Sequence, residues 1–78
     1  MEESGMKLPG PTPSALTNRE LEVLALLAKG NANKEVASIL SISVRTVEWH
    51  RSQVMHKLNL QSMSALVRFA IRNKIVEL

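Results

Sequence analysis

Three times along this chain a hydroxyl residue stands just ahead of a run in which apolar side chains recur at three- and four-residue spacing. That pairing of an N-cap with a helical period leaves little room for any fold but a helical one. The strongest case is Thr17-Asn18-Arg19-Glu20. There the threonine hydroxyl can accept the amide of Glu20 while the Glu20 carboxylate reaches back, the reciprocal pattern of a capping box. Leu21, Leu24, Leu27 and Ala28 follow in period, and Gly30 stands where a left-handed residue closes a helix. Val36, Ala37 and Leu40 predict a second, short helix over about 33–40, and Ser41-Ile42-Ser43 reads as a tight break. Ser43 caps a third helix, predicted over 44–58, whose apolar face is Val47, Val54 and Leu58 with His50 at its edge. Ser62 caps a fourth, in which Leu66, Phe69 and Ala70 recur until Asn73, a tolerable left-handed residue. The expected fold class is all-α, a four-helix bundle with no strand.

The first fifteen residues differ in kind. Residues 1–15 contain Gly5, Pro9, Gly10, Pro11 and Pro13 and show no helical period, so they read as a disordered N-terminal arm or linker. Residues 16–78 are left as one domain, since a chain of 78 residues has no room for a second core. No apolar run approaches the ~18–20 residues that a membrane helix requires. Glu2 and Glu3 stand where a signal peptide would be basic. The expected setting is therefore the cytoplasm, without a membrane partner.

Missing residue types close off most chemistry. With no cysteine and no aspartate, this chain cannot build a disulfide, a thiolate site, a Ser-His-Asp triad or an aspartyl phosphoacceptor. His50 and His56, the only histidines, lie about 240° apart around a helix and cannot share a metal. No enzyme activity, metal or cofactor is expected. Charge points elsewhere: eight Lys and Arg lie between Lys29 and Lys74 against two acids, Glu35 and Glu48, a balance of +6. Such a segment attracts polyanions, although a solvated basic face is the plainer explanation on charge alone.

The second and third helices, one short and one long, are joined by a three-residue turn, which is the helix-turn-helix arrangement. The residues in and around it are specific. Leu16-Thr17-Asn18-Arg19-Glu20-Leu21-Glu22-Val23-Leu24, Leu27-Ala28-Lys29-Gly30, Asn33-Lys34-Glu35-Val36-Ala37 and Leu40-Ser41-Ile42-Ser43 lead into Thr46-Val47-Glu48-Trp49-His50 and Lys57-Leu58. Together they closely resemble the LuxR-type DNA-binding domain of bacterial transcription regulators. The resemblance runs from Leu16 to Val76. Arg45-Thr46-Val47-Glu48, His50-Arg51, Val54-Met55, Ser62-Met63 and Leu66-Val67-Arg68 are most similar to the FixJ/NarL branch of two-component response regulators. The resemblance implies an output domain in which the third helix enters the major groove and the fourth forms a two-fold dimer contact. It also implies control by a receiver domain, which this chain does not contain.

Helical geometry orients the third helix independently. At 100° per residue, Val54 and Leu58 lie near Val47, while Arg45, Glu48, Trp49, Ser52 and His56 lie opposite and form the groove-facing set. Arg45 could fork to guanine O6 and N7 or hold a phosphate. Glu48 could accept from cytosine N4, reject wrong sites, or orient Arg45 or Arg51. Ser52 could bond either kind of base edge, and the Trp49 indole could cover thymine methyls unless it is instead a core residue. Arg51 borders the core face, where a phosphate or a carboxylate of the domain itself would hold it. Asn33 and Lys34 open the second helix, whose free amides suit an anion. The resemblance implies a Ser or Thr where Ala32 stands, so a cap worth about 0.5–2 kcal/mol is missing unless Asn31 or Asn33 replaces it. Val44 and Thr46 flank the start of the third helix, with the Thr46 hydroxyl as a phosphate clamp. The resemblance further implies that Lys57 grips phosphate; complementing the helix dipole is the alternative.

Leu66, Val67, Phe69, Ala70 and Ile71 cover more than one stripe of the fourth helix. Leu66, Val67, Ala70 and Ile71 are thus the expected interface of a homodimer on DNA, unless Ile75, Val76 and Leu78 fold back over them. The functional expectation is sequence-specific binding of double-stranded DNA by a dimer on a two-fold site. The alternatives are a stand-alone regulator of the same fold and a protein-interaction module that holds a partner helix or RNA polymerase.

Overall fold

The computed structural model describes residues 12–77. Four α-helices make up the described residues, with no strand among them: α1, Asn18–Ala28; α2, Asn33–Leu40; α3, Val44–Lys57; and α4, Met63–Arg72. The flexible arm expected over 1–15 lies outside the described residues as far as residue 11. Its last part differs from expectation, because Pro13–Ala15 forms one 3-10 turn that delivers Leu16, 8% exposed, into the core. Proline at the first position of that turn has its φ already set, and burial of Leu16 holds the turn in place.

Local capping explains where each helix starts. Thr17 Oγ1 accepts from the Glu20 amide at 3.1 Å, and the Thr17 amide donates to Glu20 Oε1 at 2.9 Å, completing the expected box. Ser43 Oγ accepts from the Thr46 amide and Ser62 Oγ from the Ala65 amide. α2 begins at Ala32, where only half of a box exists: the Ala32 amide donates to Glu35 Oε1 at 2.7 Å, and no side chain accepts in return. Neither asparagine replaces the cap. Asn31 instead donates its side-chain amide to the Leu26 carbonyl, and Asn33 is already inside the helix.

All four helices end in the same way. Gly30, Ser41, Asn59 and Lys74 take positive φ, and the next amide in each case reaches back five residues to a carbonyl of the last turn. This is the Schellman closure. The left-handed residue of α4 is therefore Lys74 at φ 59°, while Asn73 keeps φ −96° and donates its side-chain amide to the Phe69 carbonyl. Ile42, Leu60 and Ile75, each just past a closure, pack against the core and compensate for left-handed residues other than glycine.

α1 is the hub. It packs against α2, α3 and α4, and Val23, Leu24 and Leu27 fill the centre together with Val36, Val47, Val54 and Leu66. α2 and α3 pack against each other as the helix-turn-helix pair, and Val36, Ala37, Val47 and Val54 all enter the same core. Phe69, Ala70 and Val76 close the side beneath α4. The C-terminal segment returns to the core at Val76, with Ile75 packed against it; Leu78, the third residue of the expected fold-back, lies outside the described residues.

Candidate nucleic-acid interface

The core fixes the rotation of α3. Because Val47 and Val54 are fully buried, the opposite side must face out, and Arg45, Glu48, Trp49, Ser52 and His56 are all exposed. Trp49 is 58% exposed and is not a core residue. Its indole meets the ring of His50 edge-on, with centroids 5.3 Å apart and planes at 63°. His50 is half-buried at the rim, where its Nδ1 is buried with no hydrogen-bond partner.

Around this face the structure gathers the expected neighbours. Lys34 is exposed near the start of α2, and Val44, 39% exposed, opens α3. The Thr46 hydroxyl lies 2.9 Å from Ser43 Oγ, so the two share a hydrogen at the N-terminus of α3. Arg51 Nη1 donates to Asn33 Oδ1 at 3.4 Å, which ties α3 to the first turn of α2. That partner is a carboxamide, where the expectation is a phosphate or a carboxylate of the domain itself. Asn33, Glu48, Arg51, Ser52 and Met55 line an open cleft of about 370 Å³ between the two helices. Among the described residues the ion pairs are Arg19–Glu22 and Lys57–Glu20. Glu48 is therefore not held by Arg45 or Arg51 in the free domain, and the role of orienting either has no support there.

Two groups of expected residues need correction. Lys57 is not a free cation: its Nζ donates to Glu20 Oε1 at 2.8 Å and Oε2 at 3.1 Å. Glu20 is only 3% exposed, so its charge needs a partner inside the fold, and Lys57 at the end of α3 supplies it. Burial pushes the Glu20 carboxyl up, but the hydrogen bonds from Lys57 and Thr17 and the Lys57 charge together outweigh it and hold the group below its ordinary range. The sequence marked Glu20 only as a cap; nothing local connects it to a lysine 37 residues on. The second correction concerns α4. Leu66 and Ala70 are fully buried in the domain's own core and cannot also form an interface; Ile71 is half-buried and packs against that core, whereas Val67 is half-buried outside it.

A short helix and a longer one around a tight turn, the second presenting polar side chains outward above a basic surface, define a helix-turn-helix DNA-binding domain. Residues 14–70 match the family described as bacterial regulatory proteins, luxR family. The chain belongs to that family, which comprises DNA-binding transcription regulators and not enzymes. It is 50% identical over 62 residues to the oxygen regulatory protein NreC of Staphylococcus carnosus (strain TM300), a match covering 80% of this chain and 29% of that protein. NreC of Staphylococcus epidermidis (strain ATCC 12228 / FDA PCI 1200) and of Staphylococcus aureus (strain USA300) match at the same identity, with 28% and 29% of their lengths covered. The chain thus spans less than a third of these curated relatives. Among the described residues no helix is long and apolar enough to cross a membrane.

Proposed function

We propose that this domain reads DNA sequence by laying the outer face of α3 in the major groove, two copies acting together on a two-fold site. The observation that carries this reading is the division of α3 into a buried Val47–Val54 side and an exposed side bearing Arg45, Glu48, Trp49, Ser52 and His56. Arg45, Glu48 and Ser52 offer a donor fork, an acceptor and a dual group, which suit guanine, the cytosine amino group and either kind of base edge. Lys34, the Thr46 hydroxyl and the uncapped first-turn amides of α2 are suited to backbone phosphates flanking that groove. Arg51 and Asn33 keep the two helices in register for both tasks.

Dimer formation through α4 is supported by Val67, half-buried and outside the core, with the half-buried edges of Met63 and Ile71 one turn to either side of it. So small a contact is weak in dilute solution and gains from two half-sites about one helical turn apart. Similarity to the FixJ/NarL branch supports the role of a response-regulator output domain in the cytoplasm, governed by a receiver domain. Selection from a random duplex pool at near-physiological salt, followed by sequencing, tests the reading. A two-fold symmetric enriched motif is expected; salt-sensitive binding without enrichment would remove the claim of sequence reading.

A further inference from the structure

The exposed face of α3 carries one side chain that its polar neighbours do not explain. Arg45, Glu48, Ser52 and His56 can all exchange hydrogen bonds with base edges or phosphates, but Trp49, the only tryptophan in the chain, presents mainly an apolar ring. It stands among them at 58% exposure. The edge-on contact with the half-buried His50 ring restrains the indole from one side and leaves the rest of its surface turned outward. A restrained ring loses little freedom on binding, so its contact surface is prepared in advance.

Major-groove chemistry then narrows the ligand. Every base pair offers donors and acceptors there, and the one apolar group is the C5-methyl of thymine. An indole laid over that methyl removes apolar surface from water on both sides. Laid over a cytosine amino group or the O6 and N7 of guanine, it strips water from polar atoms and returns at most one hydrogen bond, from Nε1. Trp49 thus favours thymine by contact and disfavours G·C by desolvation. We infer that Trp49 is a specificity-determining residue that reads the thymine C5-methyl at one step of each half-site. The inference rests on the DNA-reading function proposed above and names what that face selects.

The test takes the duplex enriched from the random pool and replaces each thymine in turn by deoxyuridine, which removes the methyl and keeps the pairing. Affinities are measured for the 78-residue chain and for Trp49→Ala. One thymine per half-site is expected at which the methyl is worth roughly fourfold in affinity, the equivalent of ~0.8 kcal/mol. In Trp49→Ala that penalty disappears, while duplexes substituted elsewhere behave alike in both proteins. The emission of the single tryptophan should shift on binding the thymine duplex and less on binding its deoxyuridine counterpart. If a motif is enriched but no deoxyuridine weakens binding, or the penalty survives in Trp49→Ala, the inference is overturned and the DNA-reading function stands. If no motif is enriched, the function proposed above fails first and this inference with it.

Discussion

Replacing Lys57 by methionine keeps most of the side-chain volume and removes the charge opposite Glu20. Glu20 is 3% exposed and the Lys57 side chain 33%, so the pair lies between two regimes. Breaking a fully buried pair costs about 3–5 kcal/mol, whereas an exposed pair is worth under ~1 kcal/mol. A loss of about 2–3 kcal/mol at neutral pH is therefore expected, which for a domain of this size lowers Tm by roughly 10–20 °C. The pH dependence is more diagnostic. In the natural protein the folded Glu20 carboxyl sits below its ordinary value of 4.5, so the stability it contributes is fully present above pH 4.5 and is lost as pH falls through the folded value. In Lys57→Met the upward push of burial loses its main opponent, and protonation relieves the unpaired charge. The difference between the two proteins should accordingly shrink on acidification. Urea unfolding followed by circular dichroism at pH 7, 5 and 4 measures it, and Glu20→Gln combined with Lys57→Met should cost less than the two single changes summed. A cost below ~1 kcal/mol that does not vary with pH, together with a DNA salt slope reduced by about one, would show that Lys57 serves phosphate and not Glu20.

Ala32→Ser restores the acceptor missing from the start of α2, where Ala32 already has the extended φ −74°, ψ 162° of a cap; thermal unfolding should show a gain of about 0.5–2 kcal/mol. Lys74→Gly removes a left-handed lysine at φ 59° and should stabilise the fold by up to ~1 kcal/mol in the same assay, while an unchanged or lower Tm would mean that Lys74 makes a compensating contact. Val47→Asp buries a carboxylate among fully buried apolar side chains and should abolish the helical circular dichroism signal, whereas Arg45→Ala should retain it and weaken only DNA binding. Val67→Glu should leave the monomer folded and convert two-site DNA binding to independent single-site binding, visible as lost cooperativity in a titration; unchanged cooperativity would move the dimer contact away from α4.

The helices were legible because their signals are short-range. Thr17, Ser43 and Ser62 each act on an amide three residues away, and the apolar periods of α1, α3 and α4 repeat within a turn. The exposed side of α3 follows from the same periodicity, since burying Val47 and Val54 leaves only one rotation of the helix. α4 was read less well. Its apolar residues cover a broad arc, and periodicity alone does not divide that arc between core and surface, so it does not separate Leu66 and Ala70 from Val67. Packing on α1 makes the division. The left-handed residue was misplaced by one position because preference for asparagine over lysine is small beside the Schellman hydrogen bond that Ile75 makes to Ala70.

The sequence alone determined the helix-turn-helix class, where its capped helices start and the side of α3 that meets solvent, since each depends on interactions within a few residues of one another. Tertiary structure decided what Lys57 does, which apolar residues of α4 enter the core, and how Arg51 joins α3 to α2. Those outcomes depend on which groups folding brings together from 18 and 37 residues apart, Arg51 with Asn33 and Lys57 with Glu20. A buried carboxylate must find its cation in space, and local sequence spacing carries no record of where that cation lies.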